Sequence, residues 1–306
     1  MTKIDVFAHV LLPEFYKRML MLDPELPQKM PFIQNPILSD MELRRKLMPE
    51  GVKQVISYVN ANPEDYANEK VAPLLVKKAN EELTKTVRVN SDIFVGGVAM
   101  LALNNIEASL GILEQVAQTE ELLGVQLFTR HLGESVADER FKSIFAKCAA
   151  LDLPIWLHPV FDERKPDNNI VFSWEYELTQ AMYQIVEAGY FQEFPNLKVI
   201  VHHAGAMAPY FAGRIDRILS ETLAKDFRKF YVDTAILGNT KALELAADFF
   251  GVDRILFGTD APLGVAPAGA THEIIEAIEN MTLTNEQQEA ILADNFSTLL
   301  GKGRAK

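Results

Sequence analysis

Eight short apolar segments recur along this chain, and a segment of helical character follows each of them. Val, Ile, Leu and aromatic residues dominate the predicted strands, which span residues 3–8, 52–59, 93–101, 123–128, 153–157, 197–201, 230–233 and 253–258. Apolar runs of this length are typical of strands buried on both faces, and their alternation with helices predicts a parallel α/β sheet. No charge run or Pro/Gly-rich linker divides the pattern. We therefore expect one domain over residues 1–306, folded as a single (β/α)8 TIM barrel.

Two parts of the chain exceed the minimal barrel. A long insertion after the first strand, residues 11–40, contains five prolines and is predicted to be a partly helical, functional loop. Two extra helices are predicted at the C-terminal end, over residues 272–280 and 285–300. A doubly wound open sheet is the alternative architecture. Such a sheet commonly has a glycine-rich turn after its first strand, where this chain has HVLLPE.

Composition and charge narrow the class of protein. Hydrophobic residues at 48% and charged residues at 24% are ordinary for a globular protein. The net charge of −12 disfavours nucleic acid and anionic membrane as partners, because the mean field repels both. Cys148 is the single cysteine, so no intrachain disulfide can form, and we expect it to be a small buried residue. Since the sequence shows neither a signal-peptide pattern nor a membrane-spanning run, we expect a cytoplasmic protein.

Histidines collect where the predicted strands end. His9 follows the first strand, His158 the fifth, and His202 and His203 the sixth, while Asp260 follows the eighth. Active sites of such barrels lie at the carboxyl ends of the strands, so these side chains should converge on one rim. Imidazole nitrogens with a carboxylate suit Zn²⁺ and are acceptable to Mn²⁺ or Fe²⁺. The sequence therefore predicts one divalent metal ion, Zn²⁺ first, with Mn²⁺ or Fe²⁺ as alternatives.

These residues also have purely structural interpretations. His158 precedes Pro159 and could cap a strand, and Asp260 in GTDAP could be a turn residue or a helix N-cap. Because side chains alternate along a strand, at most one of His202 and His203 should point into the barrel.

Four segments resemble, in order, signature segments of the amidohydrolase-2 branch of the amidohydrolase superfamily: IDVFAH, WLHP, LKVIVHHAGAMAPYFAGR and ILFGTDAPLG. The resemblance covers nearly the whole chain and is to metal-dependent TIM-barrel proteins of the aminocarboxymuconate-semialdehyde decarboxylase type. It implies that His9, His158 and Asp260 ligate a single divalent metal and that His203 assists acid–base chemistry. It also implies that Arg214 is lent to a neighbouring subunit's site, hence a homodimer or higher homo-oligomer.

The first of these segments departs from the family pattern. The family has His-x-His or Glu-x-His there, whereas this chain has Phe7 two residues before His9. Since phenylalanine cannot bind a metal, we expect fewer protein ligands, with water or substrate completing the coordination. The insertion also has no arginine between Pro24 and Leu43, where the semialdehyde decarboxylase presents one to its substrate, and this argues against that particular substrate.

The leading hypothesis is a metal-dependent decarboxylase, a carboxy-lyase acting on a small unsaturated or aromatic carboxylic acid. Asp260 would move a proton at the reacting centre, and His203 would polarise or protonate the developing charge. Arg214 would bind the substrate carboxylate. Other basic residues on rim loops could do the same, although for these we expect solvated surface charges: Arg130, Arg164 and Lys165.

Two other functions stay open. Water activated at the same metal, with Asp260 as its base, would make the protein a hydrolase of a lactone, an amide or a related small molecule. Alternatively, Phe7 marks a degenerate barrel that binds a ligand without chemistry. Metal content and the identity of the product would separate the three.

Overall fold

A parallel sheet is the framework of the protein, for which the computed structural model describes residues 2–301. The strands are β1 Lys3–Val10, β2 Val52–Tyr58, β3 Phe94–Ala99, β4 Leu122–Phe128, β5 Arg130–His131, β6 Glu134–Ser135, β7 Ile155–His158, β8 Val199–Val201 and β9 Tyr231–Val232. Seven of them pair in the order β1-β2-β3-β4-β7-β8-β9, while β5 and β6 form a separate antiparallel hairpin. Neighbours in the sheet are thus neighbours along the chain, as the barrel prediction requires.

Helices alternate with the strands of the sheet. They are α1 Pro13–Leu22, α2 Leu26–Lys29, α3 Met41–Leu47, α4 Ala72–Val89, α5 Ile106–Ala117, α6 Lys142–Ala150, α7 Ser173–Glu187, α8 Tyr190–Glu193, α9 Ala212–Ile218, α10 Glu221–Phe227, α11 Thr240–Phe250, α12 Thr271–Glu279, α13 Asn285–Glu289 and α14 Asn295–Leu299. The insertion after β1 is partly helical, as predicted. Within residues 2–301, no helix combines the length and the apolar character that crossing a bilayer would need.

The barrel is closed by residues 255–261, here called the closing segment. The Leu256 N–H donates to the Val232 carbonyl of β9 at 2.8 Å. On the other side, the Val6 N–H of β1 donates to the Phe257 carbonyl, also at 2.8 Å. The closing segment therefore joins the first and last strands of the sheet, and the predicted α/β barrel is confirmed.

The closing segment is not a regular strand, contrary to the prediction for residues 253–258. A 3-10 turn covers Val252–Arg254, and side chains replace several backbone partners further on. The Thr234 hydroxyl bonds to both the N–H and the carbonyl of Gly258, at 3.1 and 2.9 Å. The Asp5 carboxylate accepts from the N–H and the hydroxyl of Thr259, at 3.0 and 2.7 Å. An apolar pattern reports burial but cannot show which groups supply the hydrogen bonds.

Two apolar layers surround the sheet. The larger lies between the strands and the helices and includes the fully buried Cys148, as predicted. Phe7, Trp156 and Ile200 belong to a second cluster, and each precedes a rim histidine by two residues, so alternation puts it on the same face as that histidine. The second cluster is therefore the apolar floor beneath the rim. Its buried members are Val6, Phe7, Val55, Val98, Leu123, Trp156, Ile200, Leu256, Phe296 and Leu299.

The apolar periodicity predicts continuous helices over residues 172–193 and 209–224, and the structure divides both. Gly189, whose φ of +73° lies in the region that favours glycine, separates α7 from α8. Ser220 separates α9 from α10, and its hydroxyl caps α10 by accepting the Leu223 N–H at 3.4 Å. A periodic apolar pattern continues across both breaks and therefore does not reveal them.

Candidate metal centre

Four polar side chains converge at the carboxyl ends of the strands. His9 lies near the end of β1, His158 ends β7, His202 follows β8, and Asp260 lies in the closing segment. One ligand atom from each lies within 4.8 Å of the others. The three histidines are at most 1% exposed and Asp260 is 9% exposed. Ionisable groups this deeply buried require partners, and a shared cation is one that would serve all four.

Hydrogen bonds orient two of the imidazoles. The His158 Nδ1 lies 2.8 Å from the Pro159 carbonyl. Because a carbonyl only accepts, Nδ1 carries the proton and Nε2 keeps its lone pair. The His9 Nδ1 lies 3.1 Å from the hydroxyl of Ser57, which the parallel register of β1 and β2 places opposite His9. His158 therefore offers Nε2 as a ligand atom, and His9 does the same when the Ser57 hydroxyl accepts from its Nδ1.

His202 is oriented by a carboxylate from the next strand. Its Nδ1 donates to Oδ2 of Asp233, which follows β9, and both residues are fully buried. The Nε2 atom of His202 lies 3.4 Å from Oδ1 of Asp260, and the His9 Nε2 lies 3.0 Å from the same oxygen. Two imidazole nitrogens therefore face one carboxylate oxygen.

The atoms at the centre of the group are suited to a metal ion. Within residues 2–301, the Nε2 atoms of His9 and His202 and the Oδ1 atom of Asp260 have no hydrogen bond of acceptable geometry, although they are close together. A buried polar atom without a partner costs roughly 1–3 kcal/mol, and one coordinated cation would satisfy all three. Imidazole and carboxylate ligands suit Zn²⁺, Mn²⁺ and Fe²⁺.

Electrostatics favour a positive charge at this point. Burial, together with His9 and His202, holds the pKa of His158 well below its usual value, and burial also lowers the pKa of His9. Burial would lower the pKa of His202 too, but Asp233 and Asp260 outweigh it and raise that pKa to about 10. Despite its own burial, the Asp260 carboxyl has a pKa far below the usual range because His202 and His9 face it. Neutral His9 and His158 offer lone pairs. The carboxylates of Asp233 and Asp260 stabilise positive charge here, either on protonated His202 or on a metal ion that replaces its Nε2 proton.

His203 lies beside this group rather than within it. Its ring centroid is 4.0 Å from that of His202, and its φ of +55° takes it out of strand geometry. Its Nδ1 lies 2.7 Å from Oε1 of Glu175, and its ring stacks on Trp174 at 6.3 Å. Because the Glu175 carboxylate can only accept, Nδ1 is the donor of this bond, and Nε2 of His203 has no partner among residues 2–301. The rule that one of the two histidines enters the barrel selects His202, which sequence reasoning did not assign as a ligand.

The predicted basic residues lie outside the four-residue group. Arg214 is exposed on α9, where it is accessible to another molecule. Arg164 and Lys165 have side chains 70% and 40% exposed, as expected of surface charges. Arg130 departs from that expectation, because its side chain is only 13% exposed and its Nε donates to the buried Glu177 at 2.8 Å. A single sequence does not reveal that this arginine has a buried carboxylate partner.

A cavity of about 950 Å³ lies next to the metal centre. Phe161 and Trp174 contribute aromatic surface to it, with ring centroids 5.4 Å apart. The Trp174 ring also contacts that of His158 at 5.8 Å, which connects the cavity with the centre. Arg130 and Arg164 add positive charge to the lining. The carboxylates of Asp65, Asp162 and Glu163 also line it, so the charges are mixed. Aromatic and polar walls around this volume suit a small, planar molecule with polar substituents.

Sequence reasoning missed Asp233 as well as His202. The signal was present in the sequence, since Asp233 ends the predicted strand 230–233 and Asp260 follows the predicted strand 253–258, which would place both carboxylates at the same rim. The missing information was the position of the His202 ring, because only coordinates show that Asp233 accepts from its Nδ1.

A parallel barrel with histidines and an aspartate gathered at its carboxyl rim defines the class of metal-dependent amidohydrolase-type barrels. The model of the amidohydrolase family, amidohydrolase-2 group, matches residues 8–301, and the chain therefore belongs to this family. The 2-amino-3-carboxymuconate-6-semialdehyde decarboxylase of Dictyostelium discoideum is 26% identical over 266 residues, which are 81% of this chain and 72% of that protein.

Solved structures share the fold. The 5-carboxyvanillate decarboxylase LigW from Sphingomonas paucimobilis superposes with a TM-score of 0.86 at 18% identity, covering 98% of this chain and 99% of that one. A dihydroxybenzoic acid decarboxylase from a Polaromonas species, solved with bound manganese and the inhibitor 2-nitroresorcinol, superposes with a TM-score of 0.82 at 23% identity, covering 99% and 98%. At these identities the likeness demonstrates a common barrel.

Proposed function

We propose that this protein is a metal-dependent decarboxylase of a small aromatic or unsaturated carboxylic acid. The observation that carries the proposal is the buried convergence of imidazoles and one carboxylate beside a cavity with aromatic walls. Family membership supports it, because the relatives described above are named as decarboxylases of such acids.

The residues have complementary roles in this proposal. His9, His158 and Asp260 would hold the divalent ion, which when bound would supply Lewis acidity at the substrate carboxylate. Asp260 also accepts or returns a proton at its carboxylate. His203, whose Nδ1 is held by Glu175, presents Nε2 for proton transfer to the developing charge. Trp174, between the cavity and His158, excludes water from one side of the reacting centre.

We propose Zn²⁺ as the ion, with Mn²⁺ or Fe²⁺ as alternatives. Histidine-rich sites suit Zn²⁺, whereas the manganese in the Polaromonas decarboxylase supports Mn²⁺. Elemental analysis of protein purified without chelator decides between them. Absence of any stoichiometric divalent metal, even after Zn²⁺ and Mn²⁺ are offered, would contradict an enzymatic role.

We also propose a homodimer or higher homo-oligomer in which Arg214 reaches the neighbouring subunit's site to bind substrate carboxylate. The exposure of Arg214 on α9 supports this, because its side chain is free to meet a second copy. Sedimentation at micromolar concentration tests the assembly, and a monomer would exclude this arrangement.

The reaction is tested with metal-loaded protein and a panel of hydroxybenzoates and muconate-type acids. We expect metal-dependent release of carbon dioxide from at least one of them. The variant His158→Ala should lose the activity while keeping the circular dichroism of the parent protein, whereas the surface variant His272→Ala should keep both. Acid release from lactones or amides, without carbon dioxide from any acid, would instead identify a hydrolase.

A further inference from the structure

The ring of Phe7 occupies the floor of the metal centre directly against His202. The two ring centroids are 3.9 Å apart with an interplanar angle of 17°, and Phe7 also approaches the rings of His9 and His158 at 5.7 and 6.0 Å. Phe7 is 1% exposed, so its ring is a packed part of the site. A metal-binding side chain at position 7 would therefore reach the same small volume that the His202 ring now borders.

We propose that His202, oriented by Asp233, is a ligand of the divalent metal and takes the place of the ligand that Phe7 does not provide. The inference rests on the proposed function only in assuming that the group binds a divalent metal. Its basis is that His202 Nε2 is buried, has no hydrogen bond of acceptable geometry within residues 2–301, and faces the Asp260 oxygen that His9 also faces.

Asp233 fixes which nitrogen of His202 is available. Its Oδ2 accepts the His202 Nδ1 proton, so Nε2 is the nitrogen that would bind an ion, in place of the proton that it carries in the ion-free protein. Its Oδ1 accepts the N–H groups of Ala204 and Ala235 at 3.2 and 2.9 Å, so the carboxylate cannot rotate freely. A carboxylate that orients a histidine in this way also increases the basicity of the ligand. Asp233 is thus a positioning residue for the metal centre.

The variant Asp233→Asn tests whether Asp233 acts by positioning the His202 proton or only by filling space. In that variant the two backbone N–H groups keep the amide oxygen at the Oδ1 position, which directs the amide NH₂ toward His202. The His202 Nδ1 must then accept, so the proton moves to Nε2 and blocks coordination there. The side-chain volume is nearly unchanged, and the fold should persist.

Metal affinity is measured by chelator competition with Zn²⁺ and Mn²⁺, with stoichiometry from elemental analysis and folding checked by circular dichroism in chelator. We expect His202→Phe to weaken binding by at least about 100-fold and Asp233→Asn by about 10- to 100-fold. The exchange variant Phe7→His/His202→Phe should recover most of the lost affinity, because it returns one imidazole to the same stacked pair. His272→Phe, on an exposed surface, should bind metal as the parent protein does.

Parental affinity in folded His202→Phe or Asp233→Asn protein would overturn the inference. If His202→Phe does not fold, Asp233→Asn alone decides. Carbon dioxide release by the parent protein together with undiminished metal binding by the folded variants would overturn this inference and leave the proposed function standing. If the parent protein binds metal through His202 but decarboxylates none of the acids, this inference stands and the proposed function is overturned.

Discussion

Phe7 shows how one residue shapes the metal centre. It lies on the inward face of β1, where a second ligand from that strand would reach the ion, and it packs against three of the histidines. The departure from the family pattern was visible in the sequence, but its structural consequence was not, because the position of His202 depends on β8 and β9 rather than on β1.

The variant Phe7→His should bind the divalent ion more tightly than the parent, by about tenfold, because it adds an imidazole to the group. Chelator competition measures the change. Phe172→His, which adds a histidine at an exposed position, is the matched control and should have no effect. Unchanged or weaker affinity in folded Phe7→His protein would mean that position 7 does not face the ion.

Asp5 should make stability depend on pH. Burial, only partly offset by hydrogen bonds from Thr259 and Gln54, raises its pKa from 3.8 to about 6. The folded state therefore binds the proton more tightly than the unfolded state, so this contribution is present below about pH 4 and is lost as pH rises through 6. The loss is on the order of 3 kcal/mol. Asp5→Asn should lack this pH dependence, and urea unfolding of both proteins between pH 4 and 7 measures the difference.

Helix α3 positions the rim through a buried arginine. Arg44 is 1% exposed, and its Nη2 donates to the His9 carbonyl at 2.6 Å and lies 3.4 Å from the Ala261 carbonyl. These two residues flank the place where β1 meets the closing segment. Helix α3 is therefore tied to β1, which carries His9, and to the closing segment, which carries Asp260.

Arg44→Gln should destabilise the protein by about 2–4 kcal/mol, because buried carbonyls lose a charged donor. Urea unfolding at pH 7 gives the value. Arg45→Gln on the same helix is the control. Its ion pairs with Asp92 and Glu42 lie at the surface, where water screens them, and removing them should cost much less stability than Arg44→Gln. If the two substitutions lowered the free energy of unfolding equally, Arg44 would have no special role in holding β1 and the closing segment together.

At the level of elements, the sequence predicted what hydrophobic periodicity encodes and failed where polar side chains intervene. Seven strands and the helices between them follow from apolar runs and their alternation. The irregular closing segment depends on Thr234 and Asp5, which replace backbone partners. The divisions at Gly189 and Ser220 depend on local backbone geometry, to which apolar periodicity is blind.

At the scale of the whole molecule, Arg214 offers a test of shared sites. If each site takes His158 from one chain and Arg214 from the other, Arg214→Ala and His158→Ala proteins are each defective alone. Equal mixing with exchange of subunits should then restore about a quarter of the parental activity, because half of the dimers are mixed and each has one complete site. The control is the variant Arg217→Ala, on the same helix, which should lose little activity by itself. No recovery in exchanged mixtures would place each site within one chain.

Metal binding should be coupled to closure of the barrel, because the closing segment carries one of the ligands. Asp260 lies in the closing segment, at the end of the barrel sequence, whereas His9 lies in β1, at its beginning. The complete ligand set therefore exists only when the closing segment has paired with β1. An unclosed barrel would be a poor chelator. Free ion at about 100 times its dissociation constant would add about 2.7 kcal/mol to the closed form. The rate of metal binding during refolding should thus report the rate at which the closing segment pairs with β1.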